Sequence, residues 1–306
     1  MAGWGSGLAA PASSYFRVGR GRQPAFIESA TAQLDVSRTE ASISQDENER
    51  VVAAARALGR AVKPITRTLE GSGGKEPFGS AFVLEFEGQY AAITATHVVS
   101  GPEPRHIGIG AGGMARWPND ATRIVSRDPA LPDPDITVSR FRLTSTDDEG
   151  ASDAVPLEHA LMNFTPLPGM TLLAAGHPTS RSKMRYGPNR LHAGVAYISG
   201  DAVQLEDYAR LGLDPRVHIA LHYAPERVHL PDGSAARGPA PPGMSGGPIF
   251  MVGDSTETGV VLLLAGVVTE FRPGPPSLLV GTRIDALLDH LAPFRPPEDR
   301  LFAAAG

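Results

Sequence analysis

The chain has 306 residues, of which 42% are hydrophobic and 20% are charged, as in ordinary globular proteins. Its formal net charge of −5 offers no excess of positive charge for a nucleic-acid backbone, and no apolar stretch approaches the length of a membrane span. The 34 glycines and 28 prolines predict many turns, which favours short strands joined by irregular loops over a helical bundle.

The absence of cysteine predicts the compartment in which the protein works. A chain without disulfides draws its stability from packing alone, which suits a reducing environment. Residues 1–11 also lack the basic segment and the continuous apolar segment of a secretory signal. We therefore expect a cytoplasmic protein that does not associate with membranes.

The N-terminal part is predicted to hold an arm followed by one helix. Residues 1–45 are rich in Gly, Ala, Ser and Arg without hydrophobic periodicity, so we expect a flexible arm. Residues 46–49 have the pattern of a capping box, and apolar residues then recur at helical spacing up to Pro64. This spacing predicts a helix that packs on the outside of the domain that follows.

A β-hairpin is predicted next, and it ends at a histidine. Apolar residues alternate up to residue 86 and resume at residues 90–95, which places His97 just after a strand. The other elements expected before the middle of the chain are a glycine-rich loop at 101–118, a strand at 123–125, a strand at 135–143 and a polar connection at 144–158.

The second half of the chain is predicted to contain further strands and a C-terminal helix. Strands are expected at residues 171–176, 191–198, 217–223, 260–264 and 265–271, and an amphipathic helix at 281–291. Three histidines, His218, His222 and His229, lie on or just after the strand at 217–223. Because no cysteine and no clustered carboxylate joins them, we expect neither a metal site nor a cofactor.

The segment with the most chemistry is the loop at residues 241–250, which contains a serine flanked by glycines. A glycine two residues before Ser245 lets the backbone amides of Gly243 and Ser245 turn inward together and bind a developing oxyanion. Gly246 and Gly247 remove side chains that would block a substrate. The sequence therefore predicts a nucleophilic serine in this loop.

A nucleophilic serine needs a base and an acid that orients the base, and the sequence holds candidates for both. His97 ends the run Thr-Ala-Thr-His, Asp135 begins the run Asp-Ile-Thr-Val, and Ser245 lies in Gly-Met-Ser-Gly-Gly-Pro. Over residues 75–290 the chain resembles the trypsin-like (chymotrypsin-fold) serine peptidases of the cysteine-free bacterial type, in which such motifs occur in this order. The resemblance implies a serine endopeptidase with a catalytic triad of these three residues and a polypeptide substrate.

The same resemblance implies a fold and its boundaries. It predicts an all-β protein with two six-stranded antiparallel β-barrels, an N-terminal helix and a C-terminal helix. The first barrel, with the N-terminal helix, is expected in residues 46–150, after the arm of residues 1–45. The second barrel is expected in residues 151–306.

The residues that bind a substrate are expected after the serine loop and six residues before the serine. By resemblance, the backbone edge of Thr269, Glu270 and Phe271 pairs with an extended peptide, and Pro239 lies at the base of the pocket for the residue before the cut. Because proline carries no charge and Phe271 narrows the opening, we expect small or medium apolar residues in that pocket. Met244 stands where trypsin-type zymogens often have an acidic residue, so control by a regulatory protein partner or by loop ordering is expected instead.

Three alternatives stay open at this point. Asp120, Asp128 and Asp133 lie near Asp135 and compete with it for the role of the acid. The serine loop also satisfies the nucleophile elbow of α/β-hydrolases, although the proline-rich residues 238–242 cannot supply the buried strand that an elbow follows. A trypsin-like domain kept as a binding or sensing module with little turnover is compatible with the same motifs.

Overall fold

A computed structural model describes residues 51–288 and shows a chain built almost entirely of β-strands. The described part leaves out the internal residues 52–53, 56–57, 69–74, 87, 110–112, 119–120, 127, 142–153, 162–163, 168, 181, 185–190, 226–227, 230–234, 237 and 254–259. The predicted arm, the capping box, most of the polar connection and the end of the C-terminal helix therefore lie outside the described residues. Val51, Ala54, Ala55, Leu58 and Gly59 are helical, in agreement with the N-terminal helix.

Eight strands form the first sheet. They are β1 (Val62–Thr68), β2 (Lys75–Phe86), β3 (Gln89–Ala95), β4 (Arg105–Ile109), β5 (Gly113–Arg116), β6 (Thr122–Arg123), β7 (Ile136–Phe141) and β8 (Val155–Pro156). Seven of them pair antiparallel in the order β5-β4-β1-β2-β3-β7-β6, and β8 runs parallel to β2. A helical turn, Thr96–Val99, follows β3 and carries His97.

Six longer strands form the second sheet, which closes into a barrel. In chain order the remaining strands are β9 (Thr171–Gly176), β10 (Ser182–Met184), β11 (Leu191–Ala193), β12 (Ala196–Asp201), β13 (His218–Tyr223), β14 (Val228–His229), β15 (Ala235–Ala236), β16 (Pro248–Gly253), β17 (Val261–Arg272) and β18 (Ser277–Arg283). The second sheet has the antiparallel order β12-β9-β16-β17-β18-β13, while β10-β11 and β14-β15 are separate hairpins. A bridge between Ala202 and Leu221 joins the two edges and closes the second sheet. The short helices are Leu157–His159, Leu205–Tyr208 and Asp285–Leu288.

One hydrophobic cluster lies between the two sheets and fixes their relative position. Phe82 and Ile93 of the first sheet are buried in it together with Phe250 and Val267 of the second. The opposite face of β2 packs into a separate cluster inside the first sheet, so β2 is buried on both faces. The two sheets are therefore joined by apolar packing through their central strands.

The all-β architecture predicted from the sequence is confirmed, as are the hairpin of β2 and β3 and the strands β7, β9 and β13. The first sheet has eight strands where six were expected, because the glycine-rich residues 101–118 form β4 and β5, and β8 adds a short parallel pair. The prediction of a loop at 101–118 is wrong. β4 pairs with β1 and with β5, and this pairing outweighs the weak strand pattern in the sequences of β4 and β5.

Three other predictions of local structure are wrong. Residues 261–272 form one strand where two were expected, and residues 191–198 contain two strands where one was expected. Residues 281–283 belong to β18, so the C-terminal helix begins later, at Asp285. Because β18 is buried along nearly its whole length, its sequence lacks the alternation that marks a half-exposed strand.

One prediction about the organisation of the chain is not decided by these elements. The boundary between the barrels at residues 150 and 151 stays a prediction; β8, five residues beyond it, still pairs with the first sheet. Within the part that the structure describes, no helix has the length and apolar character needed to cross a membrane.

Candidate active site

His97 and Asp135 form a close pair at the open end of the first sheet. The Nδ1 atom of His97 lies 2.5 Å from Oδ2 of Asp135, and the backbone N–H of His97 donates to Oδ1 over 3.2 Å. Strand pairing produces this contact, because Ala95 of β3 lies opposite Ile136 of β7. His97 lies two residues after Ala95, and Asp135 immediately precedes Ile136. A proton on Nδ1 held by the carboxylate leaves Nε2 as the nitrogen that can accept a proton.

The competing carboxylates have other partners. Asp133 accepts the backbone N–H of Ser126 over 2.9 Å and lies 3.5 Å from the Arg123 guanidinium. Asp128 accepts the backbone N–H of Ala130 over 2.9 Å. Asp120 lies outside the described residues. Of the acidic side chains that the structure describes in this region, Asp135 is the one in contact with the imidazole of His97.

The serine loop consists of two successive turns that end where β16 begins. Met244 donates its N–H to the carbonyl of Pro241, and Gly247 donates to the carbonyl of Met244, each over 2.9 Å. Ser245 therefore follows a turn and precedes a strand of an antiparallel sheet. The nucleophile elbow of α/β-hydrolases has the opposite order, strand before serine, so that alternative is wrong.

Gly246 brings the serine loop against the strand that leads to His97. Its φ of +89° is a left-handed conformation that a side chain disfavours. A Cβ atom at this position would also collide with the carbonyl oxygen of Ser80 and the hydroxyl of Thr94, and it would lie 3.0 Å from the amide nitrogen of Ala95. Only glycine allows this approach, which places Ser245 beside the end of β3.

The amides of Gly243 and Ser245 have fixed directions. The carbonyl of Pro242 accepts the backbone N–H of Thr179 over 2.8 Å, and the carbonyl of Met244 accepts from Gly247. In a planar trans peptide the N–H points away from the preceding carbonyl, so each of the two amides points away from these contacts. Among the described residues neither amide has a protein acceptor. Both are available to an anionic oxygen.

The residue Ser245 is partly exposed. No hydrogen bond joins it to the imidazole of His97 in the described part of the chain, although the His97–Asp135 bond is formed. Catalytic hydrogen bonds are often long before a substrate binds, so this arrangement is compatible with a nucleophile and its base. The backbone of Ser245 is held on the first-sheet side, since its carbonyl accepts the N–H of Ser80 over 2.8 Å.

Strand β17, the next after β16, has one backbone edge without a strand partner near its C-terminal end among the described residues. Val268 donates its N–H to Gly247 and accepts the N–H of Gly246, which joins β17 to the serine loop. The pairing of β17 with β16 ends at Val267, so within the described residues the segment Thr269–Phe271 pairs only with β18. Its other edge can accept an extended peptide as an added strand.

Pro239 and Phe271 come together through a tyrosine that sequence analysis missed. Tyr223 donates its hydroxyl to the buried carbonyl of Pro239 over 2.6 Å. The rings of Tyr223 and Phe271 meet edge to face with centroids 5.9 Å apart. Tyr223 is the last residue of β13, and no sequence motif surrounds it. The only sequence signal for its role was its residue type, because a buried tyrosine usually finds a hydrogen-bond partner for its hydroxyl.

The other predicted residues occupy different places. Glu270 is exposed and accepts a hydrogen bond from the Arg272 guanidinium over 2.9 Å. His218 accepts the backbone N–H of Asp214 at Nδ1, and desolvation lowers the pKa of His218. No group of three metal-binding side chains occurs among the described residues, and the side chain of His229 is not one of those described.

A cleft of about 340 Å³ opens beside the His97–Asp135 pair on the side of the first sheet. Thr96, which precedes His97, and Thr137, two residues after Asp135, line it and share a hydrogen bond of 3.0 Å. Trp117, Arg105 and Arg123 form other parts of its wall.

Two antiparallel sheets, one hydrophobic cluster between them, a His–Asp pair after β3 and a glycine-flanked serine loop held against β2 and β3 define the architecture. The chain has the chymotrypsin-like fold of the trypsin-like serine peptidases. This confirms the fold predicted from the sequence, in a chain that contains no cysteine.

Comparisons with known proteins find likeness in structure only. No family model and no curated protein matches the sequence. Similar solved structures include the serine endoprotease from Yersinia pestis, with 19% identity and a TM-score of 0.44 over 82% of this chain. They also include neuropsin, a serine protease of mouse brain, with 14% identity and a TM-score of 0.48 over 78% of this chain. The HtrA-type protease AlgW has 18% identity and a TM-score of 0.45 over 78% of this chain.

The matched structures differ in length from this chain. The chain covers 95% of the neuropsin chain, 66% of the Yersinia pestis chain and 61% of the AlgW chain. It therefore spans less than two thirds of two of these proteins. The candidate residues of this chain are therefore identified by the contacts described above.

Proposed function

We propose that the protein is a serine endopeptidase whose triad is His97, Asp135 and Ser245. The observation that carries the proposal is the combination of the 2.5 Å His97–Asp135 contact with a serine loop held against the end of β3. Two amides of that loop lack protein acceptors among the described residues, as an oxyanion site requires. The substrate would be a polypeptide, and the reaction needs no cofactor.

The proposed reaction starts when the Ser245 hydroxyl attacks the carbonyl carbon of the peptide bond. His97 Nε2 takes the hydroxyl proton as the new C–O bond forms, and Asp135 stabilises the resulting imidazolium. The proton then passes from Nε2 to the departing amine, which leaves an acyl-enzyme on Ser245. A water molecule, deprotonated by His97, attacks the acyl carbon and regenerates the hydroxyl.

The amides of Gly243 and Ser245 would bind the negatively charged oxygen of each tetrahedral intermediate. Their directions are set before the substrate arrives, because hydrogen bonds engage the carbonyls of Pro242 and Met244. A preorganised donor stabilises developing charge without the cost of reorganising the backbone during the reaction. This supports turnover over the alternative of a loop that becomes ordered only with a partner.

The residue before the cut would lie against Pro239, Tyr223 and Phe271. Phe271 is three residues beyond Val268, about 10 Å along β17 from the contact with the serine loop. The aromatic pair makes this wall apolar, and Glu270 already has Arg272 as its ion-pair partner. These contacts favour small or medium apolar side chains over arginine or lysine.

A second candidate function is a trypsin-like domain that binds peptides with little turnover. The observation that favours it is the missing hydrogen bond between Ser245 and His97 within the described residues. Such a domain would bind a peptide along β17 without reacting with a serine-directed probe. Covalent labelling therefore separates the two functions.

The first prediction concerns the nucleophile. Wild-type protein should be labelled covalently by a fluorophosphonate and should cleave unfolded protein substrates, and Ser245→Ala should lose both, with a fall in kcat of about a million-fold. Intact mass spectrometry and a cleavage assay give the two readouts. Ser199→Ala, which changes an exposed serine on β12, is the matched control. Undiminished cleavage by Ser245→Ala would rule out this nucleophile.

The second prediction concerns the acid. Asp135→Asn removes the charge that holds Nδ1 of His97, so kcat should fall by roughly ten-thousand-fold, as expected when the imidazole takes the wrong tautomer. Asp133→Asn is the matched control, since Asp133 contacts Ser126 and Arg123 and should keep kcat within about threefold. Equal losses in both variants, or a loss only in Asp133→Asn, would contradict the assignment.

The third prediction concerns specificity. Profiling with a peptide library and mass spectrometry should show cleavage after small or medium apolar residues, and Phe271→Ala should raise cleavage after phenylalanine and leucine by roughly tenfold or more. Leu167→Ala, a change at an exposed apolar side chain, should leave the profile unaltered. Dominant cleavage after arginine or lysine would contradict the pocket while leaving the triad untouched.

A further inference from the structure

Ser80 of the first sheet reaches the serine loop at two points. It lies on β2, is fully buried, and donates its backbone N–H to the carbonyl of Ser245 over 2.8 Å. Its hydroxyl donates to the carbonyl of Gly243 over 2.7 Å. The same hydroxyl oxygen accepts the backbone N–H of His177, at the end of β9, over 2.8 Å. One side chain thus connects β2, β9 and the serine loop.

The hydroxyl of Ser80 completes a set of contacts that fixes every peptide group around the two amides. The carbonyls of residues 242, 243, 244 and 245 accept hydrogen bonds in turn from the Thr179 amide, the Ser80 hydroxyl, the Gly247 amide and the Ser80 amide. Because each peptide group is planar, fixing a carbonyl also fixes the amide that follows it. Two side-chain hydroxyls donate to these carbonyls: that of Ser80 to Gly243 over 2.7 Å, and that of Thr179 to Pro242 over 3.3 Å.

The hydrogen bond from the Ser80 hydroxyl matters because it holds the backbone of a glycine, Gly243. Its φ is +95°, and a glycine has no side chain that restricts rotation of its two flanking peptide groups. Thr179 holds the peptide group before Gly243, and the hydroxyl of Ser80 holds the group after it. Without that hydroxyl, the Gly243 carbonyl loses its donor, and the peptide group that lies between the two oxyanion amides is held less firmly.

The surroundings of Ser80 keep its hydroxyl in one position. Thr94 donates its hydroxyl to the Ser80 carbonyl over 2.6 Å, so the backbone of Ser80 is held from the side of β3. A Cβ atom at Gly176 would lie 3.1 Å from Oγ of Ser80, which shows how tightly the second sheet packs on it. Buried hydrogen bonds of this kind are strong and costly to lose, since water cannot replace the missing partner.

We infer that Ser80 is a positioning residue for the oxyanion site. Its hydroxyl, carried by the first barrel, orients the Gly243 backbone in the second barrel, so the site is complete only when the two barrels pack together. This role rests on the proposed peptidase function. Ser80 acts through Gly243 and does not touch the substrate.

The test compares Ser80→Ala with Ser139→Ala. Ser139, on β7, is also fully buried and donates to a backbone carbonyl over 3.3 Å, so its replacement removes a comparable hydroxyl away from the serine loop. Ser80→Ala should lower kcat and the rate of fluorophosphonate labelling by about tenfold to a hundredfold while KM stays within about threefold, because a misdirected oxyanion donor weakens transition-state binding. Ser139→Ala should keep all three values near those of the wild type.

A second readout reports the loop directly. Hydrogen exchange of the peptide covering residues 241–250 should be faster in Ser80→Ala and unchanged in Ser139→Ala. Wild-type exchange and labelling rates in Ser80→Ala would overturn the inference. If Ser80→Ala does not fold, Ser80→Cys gives the same comparison, because a thiol is a weak donor and should produce an intermediate loss. Full activity in Ser80→Cys with unchanged exchange would overturn the inference.

The two proposals fail in different ways. Wild-type protein that is neither labelled nor active contradicts the peptidase function, and the hydrogen-exchange comparison then decides the positioning role by itself. Wild-type protein that is labelled, together with Ser80→Ala labelled at the same rate, contradicts only the role of Ser80.

Discussion

The structure depends on a backbone contact between the serine loop and strands β2 and β3, so close that no side chain fits between them. Gly246 lies against the carbonyl of Ser80 and the hydroxyl of Thr94, and a Cβ atom at Gly79 would collide with Val98 and lie 3.3 Å from the carbonyl of Ser245. This contact brings residues from distant parts of the chain to one place. The contact thereby holds the serine of the second barrel beside the strand that leads to the His97–Asp135 pair of the first barrel.

A hydrophobic cluster between the sheets holds that contact in a chain that has no disulfides. Its members from the central strands include Phe82, Leu84 and Ile93 on one side and Phe250, Leu264 and Val267 on the other. Each of these side chains is at most 1% exposed, so both barrels bury residues in this cluster. We expect the active site and the core to lose their structure together, because the same strands carry both.

The sequence predicted the residues whose signals are local. His97 and Asp135 each lie near one end of a strand. Ser245 lies among glycines, which are required where two backbone segments approach closely. Each signal can be recognised within about six residues. The hairpin of β2 and β3 was equally accessible, because its alternation is uninterrupted on both sides of the turn.

The sequence could not predict the residues whose roles arise from contacts over long distances along the chain. Ser80 and Gly243 are 163 residues apart, and Tyr223 and Pro239 are 16 residues apart. The strands β4 and β18 were missed for a related reason. β4 is short and pairs with a strand on each side, β1 and β5. β18 is buried on both faces. Their pairing energy comes from partners that a local pattern does not contain.

The central claim is that Ser245 is the nucleophile and that the amides of Gly243 and Ser245 bind the oxyanion. A crystal structure of the protein after reaction with a fluorophosphonate tests both parts at once. We predict phosphorus bonded to Oγ of Ser245, with one phosphoryl oxygen about 2.7–3.1 Å from both amide nitrogens. Phosphorus on another residue, or on Ser245 with its oxygens beyond hydrogen-bond reach of these amides, would contradict the account.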